Sequence, residues 1–120
     1  MKASEQAVEM VRVAARAAEA KHATNMVAFD VSGRLPFADA FLIVSGANER
    51  QVGGIVDGVE EALFKAGHKV KRREGEGEAR WVLLDFGDLV VHVQHAESRE
   101  HYSLERLWRD CPMIDLESKG

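Results

Sequence analysis

The chain has 120 residues, which points to a single domain large enough to bury one core. Hydrophobic residues make up 46% and charged residues 30%, a folded and not a disordered balance, and a net charge of −4 excludes coating nucleic acid by bulk charge. A single cysteine, Cys111, leaves no internal disulfide framework; with no apolar run near the roughly 20 residues of a membrane span and acids at Glu5 and Glu9, the expected setting is cytoplasmic, without membrane contact.

Ser4 is placed to cap a helix running to about Lys21, with Glu5 and Glu9 near its positive end. Val8, Val11, Ala15 and Ala18 recur at spacings of three and four, a mild stripe that predicts a helix lying against a sheet. Residues 25–31 read as a first strand with Val27, Phe29 and Val31 on one face, and Ser32–Gly33 and Leu35–Pro36 break it. Residues 40–45 are apolar on both faces, as a central strand covered on both sides would be.

Gly46 or Asn48 then starts a helix through about Ala66, with Gly67 placed to end it in a left-handed cap. Val52, Ile55, Val56, Val59, Leu63 and Ala66 form its apolar stripe. Gly53, Gly54 and Gly58 lie inside it, each costing up to about 1 kcal/mol relative to alanine, which predicts close approach to another backbone. Residues 69–73 read as a short charged edge strand, where lysines discourage pairing with other chains, and residues 74–78 as a flexible acidic turn. The change of sign within ten residues argues against a continuous phosphate-binding strip.

Between Arg80 and Trp108 lie both tryptophans, the only tyrosine and three of the five histidines. A two-residue turn at Gly87–Asp88 makes a hairpin in which Asp85 opposes Val90, Leu84 Val91, Leu83 His92, Val82 Val93 and Trp81 Gln94. Val82, Leu84, Phe86, Leu89, Val91 and Val93 then form an apolar core face. Trp81, Leu83, Asp85, Val90, His92 and Gln94 form a mixed face whose polar members imply solvent or a partner. Residues 97–102 read as a helical turn and Ser103 as the cap of a second, carrying Leu104, Leu107 and Trp108 and stopped by Pro112. The predicted fold is α/β (α+β): one domain over 1–120, a mixed sheet of about five strands packed by helices, its body at about 4–112 and a flexible tail at 113–120.

Candidate chemistry is sparse. His92 and His95 are three apart, which on a strand sends them to opposite faces, and a zinc site needs three or four convergent ligands. His95, Glu97 and His101 could converge only beyond the strand. Ser45–Gly46 lacks the rest of a nucleophile elbow and reads as a turn or cap. Asp88 is ordinary turn chemistry; Asp85 shares its face with Trp81 and His92, and the two aspartates with Mg²⁺ are the enzyme alternative. There is no phosphate-binding or dinucleotide glycine motif, and no cofactor or metal is expected. Tryptophan, tyrosine and arginine dominate interface hot spots. Arg80, Trp81, Asp85, His92, Arg99 and Tyr102 have that composition, and Glu97, Arg99 and Glu100 would form a charged rim.

The run ArgTrpValLeuLeuAspPheGlyAspLeuValValHisVal from Arg80, followed by His95, Glu97, Arg99, Tyr102 and LeuGluArgLeuTrp, resembles the signature of the ribosomal silencing factor family, RsfS or Iojap. The similarity extends back through PheAlaAspAlaPheLeuIleValSerGly at 37–46 and covers roughly 4–112. Ala40 and Phe86 stand where the family usually has tyrosine. The resemblance implies a nucleotidyltransferase-like fold without the activity, so no enzyme and no catalytic residue, and agrees with the lack of an Asp-x-Asp metal pair. It also implies binding to the large ribosomal subunit through ribosomal protein L-fourteen, steric block of subunit joining, repression of translation when nutrients are short, and a homodimer when free. On this reading Trp81 anchors the contact, with Arg80, Asp85, His92, Glu97, Arg99 and Tyr102 around it. Direct ribosomal RNA contact through residues 69–73 is a secondary expectation.

Overall fold

A computed structural model describes residues 3–75, 77, 80–101 and 103–116. The elements run α1 (Glu5–Ala20), β1 (Thr24–Asp30), β2 (Ala40–Gly46), α2 (Glu49–Lys65), β3 (Arg72–Glu74), β4 (Trp81–Asp85), β5 (Leu89–His95), α3 (Ala96–His101) and α4 (Leu104–Trp108). The strands form one mixed sheet in the order β1-β2-β5-β4-β3. β2 and β5 pair in parallel at its centre, and the other pairs are antiparallel. The expected α+β architecture of five strands and packed helices is the observed one.

Ser4 caps α1 as its sequence position predicts, its hydroxyl accepting a hydrogen bond from the Ala7 N–H at 3.1 Å. The stripe is rotated from the expected one. Ala7, Met10, Val11, Ala14, Ala15 and Ala18 are buried, whereas Val8 is only half-buried. The reason is that α1 packs against α2 as well as the sheet, so its covered arc is wider and offset. Alanine's small side chain suits that double contact.

Asn48 caps α2 by accepting from the Gln51 N–H at 2.8 Å, and the helix ends before Gly67, whose φ is +94°. The glycine expectation fails at two positions of three. A Cβ at Gly53 or Gly54 would meet nothing within 4 Å, while one at Gly58 would meet the Lys21 side chain at 3.3 Å. Only Gly58 lies where α1 passes close by.

Two apolar clusters flank the sheet. On the α1–α2 side, Leu42 and Val44 of β2 join Val82, Leu84, Phe86, Leu89, Val91 and Val93 of the hairpin. Fully burying one such side chain stabilises by about 1.5–3 kcal/mol, so this side holds the fold together. On the other side Phe29, Phe41, Ile43 and Val90 are covered by Leu104 and Cys111, with Trp81, Leu83 and Trp108 at the margin. Ala40 is wholly buried in the first cluster.

The hairpin has the predicted register at all five pairs, and the Phe86 N–H donates to the Leu89 carbonyl at 2.9 Å across the two-residue turn. Gly87 takes a φ of +92°, the left-handed conformation such a turn needs. β3 is an edge strand as expected, but it is shorter, starting three residues later and ending one residue later than the sequence predicts. Of the acidic stretch at 74–78, residues 76 and 78 lie outside the described residues. Residues 113–116, expected in a tail, instead lie along β1: Phe29 bridges to Met113, the Ile114 N–H donates to the Ala28 carbonyl, and Ile114 and Leu116 pack on the core. Residues 117–120 are outside the described residues.

Candidate functional site

The mixed face of the hairpin is largely covered by the chain itself. Sequence periodicity predicts an open face because His92 and Gln94 are polar, yet His92 is 5% exposed and Gln94 is fully buried. β2 adds Phe41 and Ile43 beside them, and the segment after α3 lays Leu104, Trp108 and Cys111 over that surface. Phe41 lies edge-on to both His92 and Trp108, with ring centroids 5.0 and 5.1 Å apart. What stays accessible is the β4 margin: Trp81, Leu83 and Asp85, each half-buried.

Trp81 is held by His92. Its indole Nε1–H donates to His92 Nδ1 at 3.2 Å, one strand away. An accepting Nδ1 puts the imidazole proton on Nε2, and burial pushes the His92 pKa down to about 4, so the ring is neutral at physiological pH. His92 Nε2 is itself buried with no hydrogen-bond partner among the described residues. The bond to Trp81 is therefore the polar interaction that the ring makes, and it fixes the indole plane.

Beside the indole is a shallow notch of about 280 Å³ lined by Gly75, Gly77, Arg80 and Trp81. Gly75 has φ +84°, and a Cβ there would collide with the Trp81 carbonyl oxygen. No other residue type would let the chain pass so close to β4. Arg80 pairs with Glu97 at 3.5 Å, both side chains largely exposed, an ion pair of small energetic weight that joins β4's start to α3.

The remaining predicted site residues are distributed differently. Asp85 accepts the Gly87 N–H at 2.8 Å, so its carboxylate shapes the hairpin turn. Asp88 is exposed at the tip, and its backbone carbonyl accepts from the N–H groups of Asp39 and Ala40. Arg99, expected on a charged rim, has a side chain only 10% exposed. Its Nε donates to Glu105 at 3.1 Å and its Nη1 to Ser45 Oγ at 2.9 Å, so it pins α3 and α4 to the end of β2. Burial lowers its pKa, and the Glu105 carboxylate opposes that shift. Ser45 is accordingly a buried strand residue and not a turn or cap. Tyr102 and the side chain of His101 lie outside the described residues. His95 Nδ1 accepts the Glu97 N–H at 3.1 Å, and no three His, Cys, Asp or Glu side chains cluster in a way that could hold a metal among the described residues.

The basic stretch at 69–73 is partly neutralised within the fold. Arg73 pairs with Glu60 at 3.3 Å and Asp57 at 3.8 Å, and Arg72 with Glu74 at 3.8 Å. Sequence reasoning missed Gly75, which reads as part of an acidic turn, and Arg106 and Arg109, which lie three apart at the end of α4 and share one cleft with Arg99. No helix among the described residues is long and apolar enough to cross a membrane.

Comparison with known proteins agrees with this architecture. A family model described as "Ribosomal silencing factor during starvation" matches residues 4–120. The chain is 43% identical over 108 residues to the ribosomal silencing factor RsfS of Bacillus subtilis, covering 90% of this chain and 92% of that protein. A solved structure from Bacillus halodurans superposes with a TM-score of 0.79 at 40% identity, covering 90% of this chain and 98% of that one. Another, from Chromobacterium violaceum, gives a TM-score of 0.81 at 31% identity, with 84% of each chain covered. A 13.3 kDa fold of this topology with this match along nearly its whole length belongs to the RsfS family of ribosomal silencing factors.

Proposed function

We propose that this chain represses translation under nutrient limitation by docking on the large ribosomal subunit through ribosomal protein L-fourteen and blocking the small subunit from joining. The mechanism is occlusion. A domain seated on the intersubunit surface prevents joining by its volume, so no chemistry, cofactor or catalytic residue is needed, and the chain is not an enzyme. It acts in the cytoplasm and pairs with a second copy when free.

The observation that carries this reading is the immobilised indole at the β4 margin. Trp81 stands half-buried beside an open notch, its N–H bonded to a neutral, buried His92. With its one donor taken internally, the indole offers a partner its apolar surface, already ordered before binding. Preordered aromatic surface is what anchors protein–protein contacts. Leu83 extends the apolar margin, while Arg80 and Glu97 supply charge at its border. Asp85 and Arg99 support the margin by holding the hairpin turn and the α3–α4 segment.

Sucrose-gradient sedimentation with purified ribosomal subunits tests the proposal. The expected result is co-migration with the large subunit alone and loss of joined ribosomes as the protein is added. A subunit profile unchanged by excess protein would overturn it.

A further inference from the structure

The sheet carries a second open feature on the same side as Trp81, at its far edge. A cleft of about 530 Å³ is walled by Arg99, Glu105, Arg106 and Arg109 over Val27 and Phe29 of β1. Val27 and Phe29 pair with Ile43 and Phe41, which in turn pair with His92 and Val90, so the cleft and the Trp81 margin share one face. β2 and β5 lie between β1 and β4, which separates them by roughly 14 Å at the usual strand spacing.

The charges in the cleft are unbalanced. Among the described residues its one carboxylate, Glu105, is engaged by Arg99 through both oxygens. Arg106 and Arg109 are exposed, and among the described residues neither makes a side-chain ion pair. Two guanidinium groups with no acidic partner among the described residues thus sit in one concavity of a chain whose net charge is −4. Arg99 fixes the wall behind them, since its side chain is nine-tenths buried and bonded to Ser45. By contrast, Arg72 and Arg73 at the β3 edge already have acidic partners.

An acidic protein that docks on a ribosomal subunit meets a surface dense in RNA phosphate and is repelled by it, unless positive charge is placed where the two surfaces meet. Guanidinium forks match phosphate oxygens in pairs, and each phosphate neutralised releases condensed counterions. We propose that Arg106 and Arg109 receive a backbone phosphate of ribosomal RNA in this cleft while the Trp81 margin engages protein. This inference rests on the docking reading above. It gives the chain a two-point attachment, one apolar and one electrostatic, that orients it on the subunit.

The test is large-subunit binding measured across a salt series for the wild type, for the double variant Arg106→Glu/Arg109→Glu, and for the milder Arg106→Gln/Arg109→Gln. Isolated ribosomal protein L-fourteen is the second target. The expected result is at least a tenfold loss of subunit affinity at low salt for the Glu pair, with a slope of log affinity against log salt shallower by roughly one, the share of a single phosphate. The Gln pair shifts in the same direction, and affinity for isolated L-fourteen is unchanged. Wild-type affinity and slope in both variants would overturn the RNA contact and leave the docking reading standing. Equal losses on isolated L-fourteen would assign the cleft to protein and overturn it too. A wild type that fails to bind the subunit at all would remove both readings together. Stabilisation of the wild type, but not of the variants, by inorganic phosphate or a nucleoside triphosphate would assign the cleft to a free phosphorylated ligand and overturn the RNA contact.

Discussion

The Trp81 indole donates its N–H to His92 Nδ1 at 3.2 Å, and the accepting imidazole is 5% exposed. One hydrogen bond thereby ties the partly accessible residue of the β4 margin to the interior. It persists only while His92 is neutral, because a protonated imidazole carries donors on both nitrogens.

Stability should therefore depend on pH through His92. Its folded pKa is lowered by burial to about 4 from an ordinary 6.5. Above pH 6.5 neither folded nor unfolded chain holds the proton, and the stability is fully present. As pH falls from 6.5 towards 4 the unfolded chain takes up a proton that the folded chain refuses, so stability is lost, by up to roughly 3 kcal/mol from this residue. Urea unfolding at pH 7 and pH 4.5 should show a larger loss in the wild type than in His92→Phe. Identical losses would mean that His92 does not titrate as its burial requires.

Trp81→Ala should weaken large-subunit binding at least tenfold, since truncating a true anchor costs at least about 2 kcal/mol. The chain should remain folded, because Trp81 lies at the margin of its cluster and the α1–α2 side of the sheet is untouched. Pelleting with the large subunit measures the first effect and circular dichroism the second. Unchanged affinity in a folded variant would remove Trp81 from the docking surface.

Arg99 should matter for stability more than for contact. Arg99→Ala removes the Nε bond to Glu105 and the Nη1 bond to Ser45, and leaves Ser45 buried without that donor. Breaking a fully buried pair costs about 3–5 kcal/mol, and because the Glu105 side chain is 34% exposed about 1–3 kcal/mol is expected here. Hydrogen exchange should quicken in α3 and α4 before the sheet. Exchange that quickens evenly along the chain would argue against this local role.

The glycines separate into opposite classes. Gly75→Ala should destabilise by about 1–3 kcal/mol, because φ is +84° and the Trp81 carbonyl occupies the space of a Cβ. Gly53→Ala and Gly54→Ala should each stabilise by roughly 0.5–1 kcal/mol, since both face open space inside α2. Thermal unfolding of the three variants decides the matter. A stabilised Gly75→Ala, or destabilised Gly53→Ala and Gly54→Ala, would contradict the packing described.

Local chemistry was legible in the sequence wherever neighbours along the chain determine the outcome. The cap at Ser4, the two-residue turn at Gly87–Asp88 and all five hairpin pairs follow from hydrogen-bonding side chains, glycine's φ and strict alternation. The buried run at β2 and the α+β class follow from the same periodicities. Family membership was equally legible, because its signature lies in one contiguous stretch. What tertiary structure alone decided is which polar residues remain available. His92 reads as a surface residue by alternation, yet the chain returns after α3 and covers it, and no periodicity in β5 encodes that return. Arg99 reads as a rim charge, yet Ser45, 54 positions away, turns it inward. Arg106 and Arg109 carry no role in the sequence pattern, and the packing of α4 over β1 makes them the wall of one cleft. Alternation within a strand specifies faces, but only the packing of distant segments determines which face meets water.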